Sequence, residues 1–275
     1  MTPGRRRAVL AAAAAGSLLF ACARRAPIAF PERGGPSASG YRALFRVRSD
    51  GPAGKERFRM AAALAPPDGF RLEFFGPVGG PRLVVAARGV SAVALLPQER
   101  AFDVGEASAE ALDRLLGVPL DTARLVALLT GRPMCRPESV EQHIRTRRAA
   151  TFARTVAWFD ITCPPGDVRY LGRCKERGGV VEGAVVRDGI GGDIILTVDY
   201  ADYGEGPGPR WPRKIRLHLA RRRTTVTLEA IDGPSAGDLP RAIFTPSIPE
   251  GFERRAILSS LPAPGLLGST AVRER

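Results

Sequence analysis

Hydrolytic or metal-dependent chemistry in this 275-residue chain would have to be built on two histidines, His143 and His218. A Ser-His-Asp or Cys-His arrangement needs an imidazole to take the nucleophile's proton, and neither histidine stands in a local motif for that role. His218 falls within "KIRLHLA", which alternates as a strand does, and His143 lies in a charged stretch. Cys135, Cys163 and Cys174 lack the close pairing of zinc ligands. The glycines of "DGIGGD" (188–193) join two apolar runs without opening a helix, which makes them a hairpin turn and not a phosphate cradle. Nucleophile, base and oxyanion donors do not assemble. No enzyme activity, cofactor or metal is expected.

Cys22 is a different matter. Arg5, Arg6 and Arg7 precede an apolar run from Ala8 to Ala21, interrupted only by Gly16 and Ser17 and too short to span a bilayer comfortably. Residues 1–21 therefore read as an export signal. The run ends "LLFAC", which resembles the lipobox of bacterial lipoproteins, in which the cysteine is lipid-modified and becomes the first mature residue. By that resemblance Cys22 is the lipidation site. The following residue is Ala23 and not the aspartate of inner-membrane retention, which implies the outer membrane, with the domain on its periplasmic face. The formal charge of +13 holds the surface near anionic partners. An exported protein meets no genomic DNA, so nucleic acid is excluded and anionic phospholipid remains.

The elements that must position any site begin after a tether. Residues 22–40 are rich in Arg, Pro, Gly and Ser without apolar period. A single domain is expected over 41–258, followed by a disordered tail at 259–275. Tyr41, Ala43, Phe45 and Val47 alternate with polar residues, as do Phe58, Met60, Ala62 and Leu64. Phe70–Phe75, Arg82–Arg88 and Val90–Leu96 follow, joined by connections so short that the strands must be antiparallel. Ser108 caps a helix carrying Leu112 and Leu115, and Asp121 caps a second carrying Leu125 and Leu128, stopped by Gly131 and Pro133. Residues 138–154 carry no assignable period. Strands resume at Thr155–Cys163, Val168–Lys175, Val180–Arg187, Asp193–Tyr200, Arg213–Ala220 and Thr224–Ile231.

The pattern is mainly β: one curled antiparallel sheet of about eleven strands, an unclosed half-barrel with a short helical lid or plug. A sheet that curls without closing has a concave apolar face, which is covered by something or binds something. Phe45, Phe58, Phe70, Leu72 and Phe74 belong to that face, as lining of a cavity or as ordinary core. Leu112, Leu115, Leu125 and Leu128 are lid residues on the first view and helix-packing residues on the second. A monomer is expected.

One turn breaks the usual composition. In "FFGPVGGPRLVV" the apolar, β-branched Val78 sits among Gly and Pro, where turns favour residues that relieve or satisfy the backbone. This segment, with "LLGVPLDTARL" and "LLTGRP" in the same order, resembles the outer-membrane lipoprotein receptor LolB and its LolA-like carrier relatives. The resemblance implies an unclosed antiparallel barrel with helices in its mouth. It also implies a lipid-anchored receptor that accepts lipoprotein acyl chains from a soluble periplasmic carrier and passes them to the outer-membrane phospholipid. In that family an apolar residue projects from the Pro–Gly turn and aids delivery to the membrane, which gives Val78 the role of membrane-delivery tip. The alternative is an envelope lipoprotein that binds or senses lipid or glycolipid in the same half-barrel without inserting lipoproteins. Cys135, Cys163 and Cys174 have no role in the resemblance, and export permits any one disulfide among them.

Overall fold

A computed structural model describes residues 40–76, 79–132, 134, 157–163, 168–175, 178–204 and 211–260. Six strands, β1 (Gly40–Gly51), β2 (Gly54–Ala65), β3 (Gly69–Phe75), β4 (Pro81–Arg88), β5 (Ser91–Leu96) and β6 (Ala101–Glu106), form one antiparallel meander. A second comprises β7 (Ala157–Cys163), β8 (Val168–Lys175), β9 (Gly178–Arg187), β10 (Ile194–Tyr203), β11 (Pro212–Leu219) and β12 (Thr224–Gly237). Pairing of β1 with β12 joins the two meanders into a single sheet of thirteen strands, completed by the two-residue β13 (Glu253–Arg254), which runs parallel to β6. The order runs from β13 and β6 at one edge to β7 at the other, and those edges do not pair with each other.

Strand alternation sets the two faces. On β1, Tyr41, Ala43, Phe45, Val47 and Ser49 are buried while Arg42, Arg46, Arg48 and Asp50 are exposed. On β11, Ile215, Leu217 and Leu219 are buried between exposed Arg213, Arg216 and His218. A period of two placed on a right-twisted backbone gives one continuous apolar face. Register shifts between β1 and β12 at Arg42–Phe45, and between β3 and β4 at Phe74–Phe75, add local bends that help the sheet to curl.

The helices lie across the concave side. In α1 (Ala109–Leu116) the Ser108 hydroxyl accepts from the Ala111 N–H at 3.2 Å, and Gly117 closes the helix at φ +76°. In α2 (Thr122–Thr130) the Asp121 carboxylate accepts from the Arg124 N–H at 2.8 Å, and Gly131 closes it at φ +64°. Both ends therefore satisfy backbone groups that would otherwise be orphaned.

Two of the thirteen strands lie beyond the eleven expected, and their chemistry explains why. β6, "AFDVGE", has a weak alternation, with Val104 exposed and Asp103 buried. The residues before it, Pro97–Glu99, form a 3-10 turn that reads as a terminus. β13 exists only because the chain returns to β6 from about 150 positions away in sequence. β12 also extends beyond Ile231 to Gly237, still paired with β1 as far as Gly40.

From Gly237 onward the chain straps the outer face. Phe244, 1% exposed, packs over β3 and β4 with the Arg88 guanidinium 5.9 Å from its ring centroid, and the Arg71 guanidinium lies 3.5 Å from the Ile243 carbonyl. This cover explains why Val84 and Ala86 are buried as well as Leu83, Val85 and Ala87, so that β4 is apolar on both faces. The strap ends in α3 (Ile257–Ser260) against α1 and β6. There the Leu258 N–H donates to Asp103 Oδ2 at 2.8 Å, while Arg114 donates twice to the Leu258 carbonyl at 3.1 and 3.0 Å.

Candidate functional site: the concave face and its helical cover

Phe45 on β1, Phe70, Leu72 and Phe74 on β3, Leu112 and Leu115 on α1, and Leu125 and Leu128 on α2 belong to one apolar cluster. Register brings the sheet members together: Phe45 faces Met60 of β2, and Leu72 faces Ala62 on one side and Val85 on the other. Phe45, Phe70, Leu112 and Leu128 are fully buried. Phe58 is half-buried at the margin of the cluster, its ring centroid 6.0 Å from that of Phe74. The two helices thus contribute their leucines to the same apolar cluster as the aromatics of the sheet, and the second helix packs on β3. Burial of this kind is non-directional, so hydrocarbon can replace leucine without any specific bond being remade.

Among the described residues, hydrogen bonds tie the cover to the rest of the fold near its ends. Tyr200 Oη on β10 donates to the Leu128 carbonyl at 3.1 Å. Arg222, in the β11–β12 turn, donates from Nη2 to the Asp113 carbonyl at 2.7 Å and to its Oδ1 at 3.2 Å, bracing the C-terminal turn of α1. A side chain at Gly117 would meet Arg222 at 3.2 Å, so the small residue serves both the turn and the arginine. Arg132, just past α2, donates to Tyr41 Oη at 2.9 Å with its guanidinium 5.6 Å from the ring centroid.

Sequence reasoning missed these ties. Arg221, Arg222 and Arg223 look alike as a charged turn, yet Arg222 points inward to Asp113 while Arg221 pairs with Asp188. The signal available was only that "RRR" stands between two buried strands; its partner is 109 residues away.

Val78 and Cys22 lie outside the described residues; the turn beside Val78 includes Gly79 at φ +93°, with no heavy atom near the place a side chain would occupy. His218 is exposed on the outer face, Nδ1 3.3 Å from Thr225 Oγ1, and His143 lies outside the described residues. Cys163 pairs in register with Val168 and Cys174 with Ala157, at opposite ends of the β7–β8 hairpin. That places them on the order of 20 Å apart, too far for a disulfide between them. Cys135 lies outside the described residues. Among the described residues no group of three or more His, Cys, Asp or Glu could hold a metal ion. Two surface grooves lie away from the concave face: one of about 310 Å³ on the outer side beside Arg42, Arg71 and Asp232, and one of about 540 Å³ between β6, α1 and the strap.

No protein-family model and no curated protein sequence matches the chain. Among solved structures, a LolA superfamily protein from Nitrosomonas europaea is similar at 14% identity and a TM-score of 0.53, over 76% of this chain and 91% of that one. A domain assigned by inference to outer membrane lipoprotein sorting in Vibrio parahaemolyticus is similar at 10% identity and a TM-score of 0.54, over 76% and 91%. A DUF1329 family protein from Desulfovibrio piger gives 10% identity and a TM-score of 0.55, over 76% and 90%. The fold is LolA-like. At these identities the likeness is one of architecture.

Proposed function

We propose that the chain is a lipid-anchored receptor on the periplasmic face of the outer membrane. It accepts the acyl chains of lipoproteins from a soluble LolA-like carrier, holds them between α1–α2 and the concave face, and delivers them to outer-membrane phospholipid. The observation that carries this reading is the helical pair laid over a continuous apolar face of an unclosed sheet. The LolA superfamily standing of one structural neighbour and the sorting assignment of another support it. Cys22 supplies the anchor in this proposal and residues 23–39 the tether.

The role requires no covalent step. Removing hydrocarbon from water yields about 0.8 kcal/mol per methylene, so an acyl chain can compete with the leucines that it displaces. Handover needs only a receiving surface slightly more favourable than the cavity. The second reading, a lipid or glycolipid sensor, uses the same face and differs in having no delivery step.

Val78→Glu separates the two. If Val78 projects from its turn as the family resemblance implies, a carboxylate there is repelled by anionic headgroups and is costly among acyl chains, while the substitution shifts stability by only about 0.5 kcal/mol. The variant is expected to keep its melting temperature and to take lipoprotein from a loaded carrier, but to release it poorly into liposomes. Release at the wild-type rate would leave the sensor reading in its place.

A further inference from the structure

The strands of this sheet end in two sets of turns, and one set has an unusual surface. β1, β3, β5, β9 and β11 run toward the same end, from which β2, β4, β6, β10 and β12 depart, so the turns at 51–54, 97–100, 188–193 and 220–223 lie together there. In the 188–193 turn Ile190 is 73% exposed. Gly189 and Gly191, at φ +75° and +70°, flank it and have nothing within 4 Å of the place a Cβ would occupy. The turn is nevertheless braced: the Asp188 N–H donates to the Asp193 carbonyl at 2.9 Å, Arg187 Nη1 donates to the Gly192 carbonyl at 2.8 Å, and Arg221 pairs with Asp188. A large apolar side chain is therefore held in water by a built turn, with no packing role there.

Cations crowd the outer face beside the same end. Arg46 stands directly opposite Arg59, and Arg48 opposite Arg57, across the β1–β2 ladder. Like charges in directly opposed positions destabilise a sheet. Glu229 lies 3.8 Å from Arg48 and stands opposite Arg46 across the β1–β12 ladder, while among the described residues no ion pair joins Arg46, Arg57 or Arg59 to a carboxylate. Arginines without ion pairs at the same end of the sheet as a projecting isoleucine, though several strands from it, match a surface that is anionic outside and apolar within.

We infer that this end of the half-barrel docks on an anionic phospholipid bilayer, with Ile190 entering the interface and Arg46, Arg57 and Arg59 meeting headgroup phosphates. The inference rests on the reading of the chain as a membrane-facing receptor, and adds to it an orientation and a contact on the opposite half of the sheet from the β3–β4 turn.

The test compares Ile190→Trp with Val90→Trp, a residue equally exposed at 74% but in the β4–β5 turn at the other end. Each full chain is incubated with vesicles of phosphatidylcholine and phosphatidylglycerol carrying brominated acyl chains, and its emission is compared with that of the wild type, which has Trp158 and Trp211. The added emission of Ile190→Trp is expected to shift to shorter wavelength and be quenched, while that of Val90→Trp keeps its value in buffer. Quenching at position 190 is expected to vanish in phosphatidylcholine alone and to fall when Arg57→Ser and Arg59→Ser are added. Equal quenching at both positions, none at position 190, or no dependence on the anionic lipid would overturn the inference, the second of these leaving an acidic protein as the partner of the arginines. Fatty-acid binding by the same proteins is measured in parallel. Binding without quenching at position 190 removes the docking and leaves the receptor proposal standing, and quenching without binding does the reverse.

Discussion

Leu128→Arg is expected to abolish fatty-acid binding while the sheet remains folded. Leu128 is fully buried on α2, its carbonyl accepts from Tyr200, and it belongs to the cluster shared with Phe45 and Phe70. An unpaired guanidinium there costs about 3–5 kcal/mol, which the molecule can relieve in one of two ways. If α1 and α2 form a cover held by apolar contact and a few end ties, they lift away, and the sheet stays hydrogen-bonded through the β1–β12 seam. Native-state hydrogen exchange would then show fast amides over residues 109–130 and continued protection in β1 and β12. If the helices are an inseparable part of one core, protection at the β1–β12 seam is lost together with that of the helices, and the cover account fails.

Phe45→Ala is expected to lower stability by about 3–5 kcal/mol, since it empties a fully buried position on the strand that joins the two meanders. For a domain of this size that is on the order of 10 °C in melting temperature. The vacated volume adjoins the place proposed for an acyl chain. Palmitate should therefore raise the melting temperature of Phe45→Ala by more than that of the wild type, a ligand bound only by the folded state adding about 2.7 kcal/mol at a hundredfold excess over its Kd. An equal or smaller shift in the variant would separate the Phe45 site from the acyl site.

Much of this architecture was legible because local chemistry and tertiary role agree. The alternation in β1 and β11, the caps Ser108 and Asp121, and the αL glycine Gly131 each name their element without help from distant residues. The elements that escaped are those defined by partners far along the chain. β13 has two residues and no pattern of its own, β6 carries buried Asp103 where an apolar residue would signal a strand, and the double-sided burial of β4 depends on Phe244 arriving from the strap. The concave-face residues were legible as a face but not as a site. Phe45, Phe70, Leu112 and Leu128 look the same from sequence whether they line a cavity or fill a core, because both demand the same spacing. The ties made by Arg222, Arg132 and Tyr200 left no local signal, since each depends on a group brought from another element by the fold.

In the receptor proposed here, acyl chains occupy the space between the helical cover and the concave face. Photocrosslinking with a palmitate analogue bearing a terminal diazirine, on the full chain, followed by peptide mapping, tests it most directly. The account predicts adducts on β1, β3, α1 and α2, at or beside Phe45, Phe70, Phe74, Leu112 and Leu128, competed by unlabelled palmitate and lost in Leu128→Arg. Adducts confined to the outer-face groove beside Arg42 and Arg71, or labelling that unlabelled palmitate does not reduce, would contradict it.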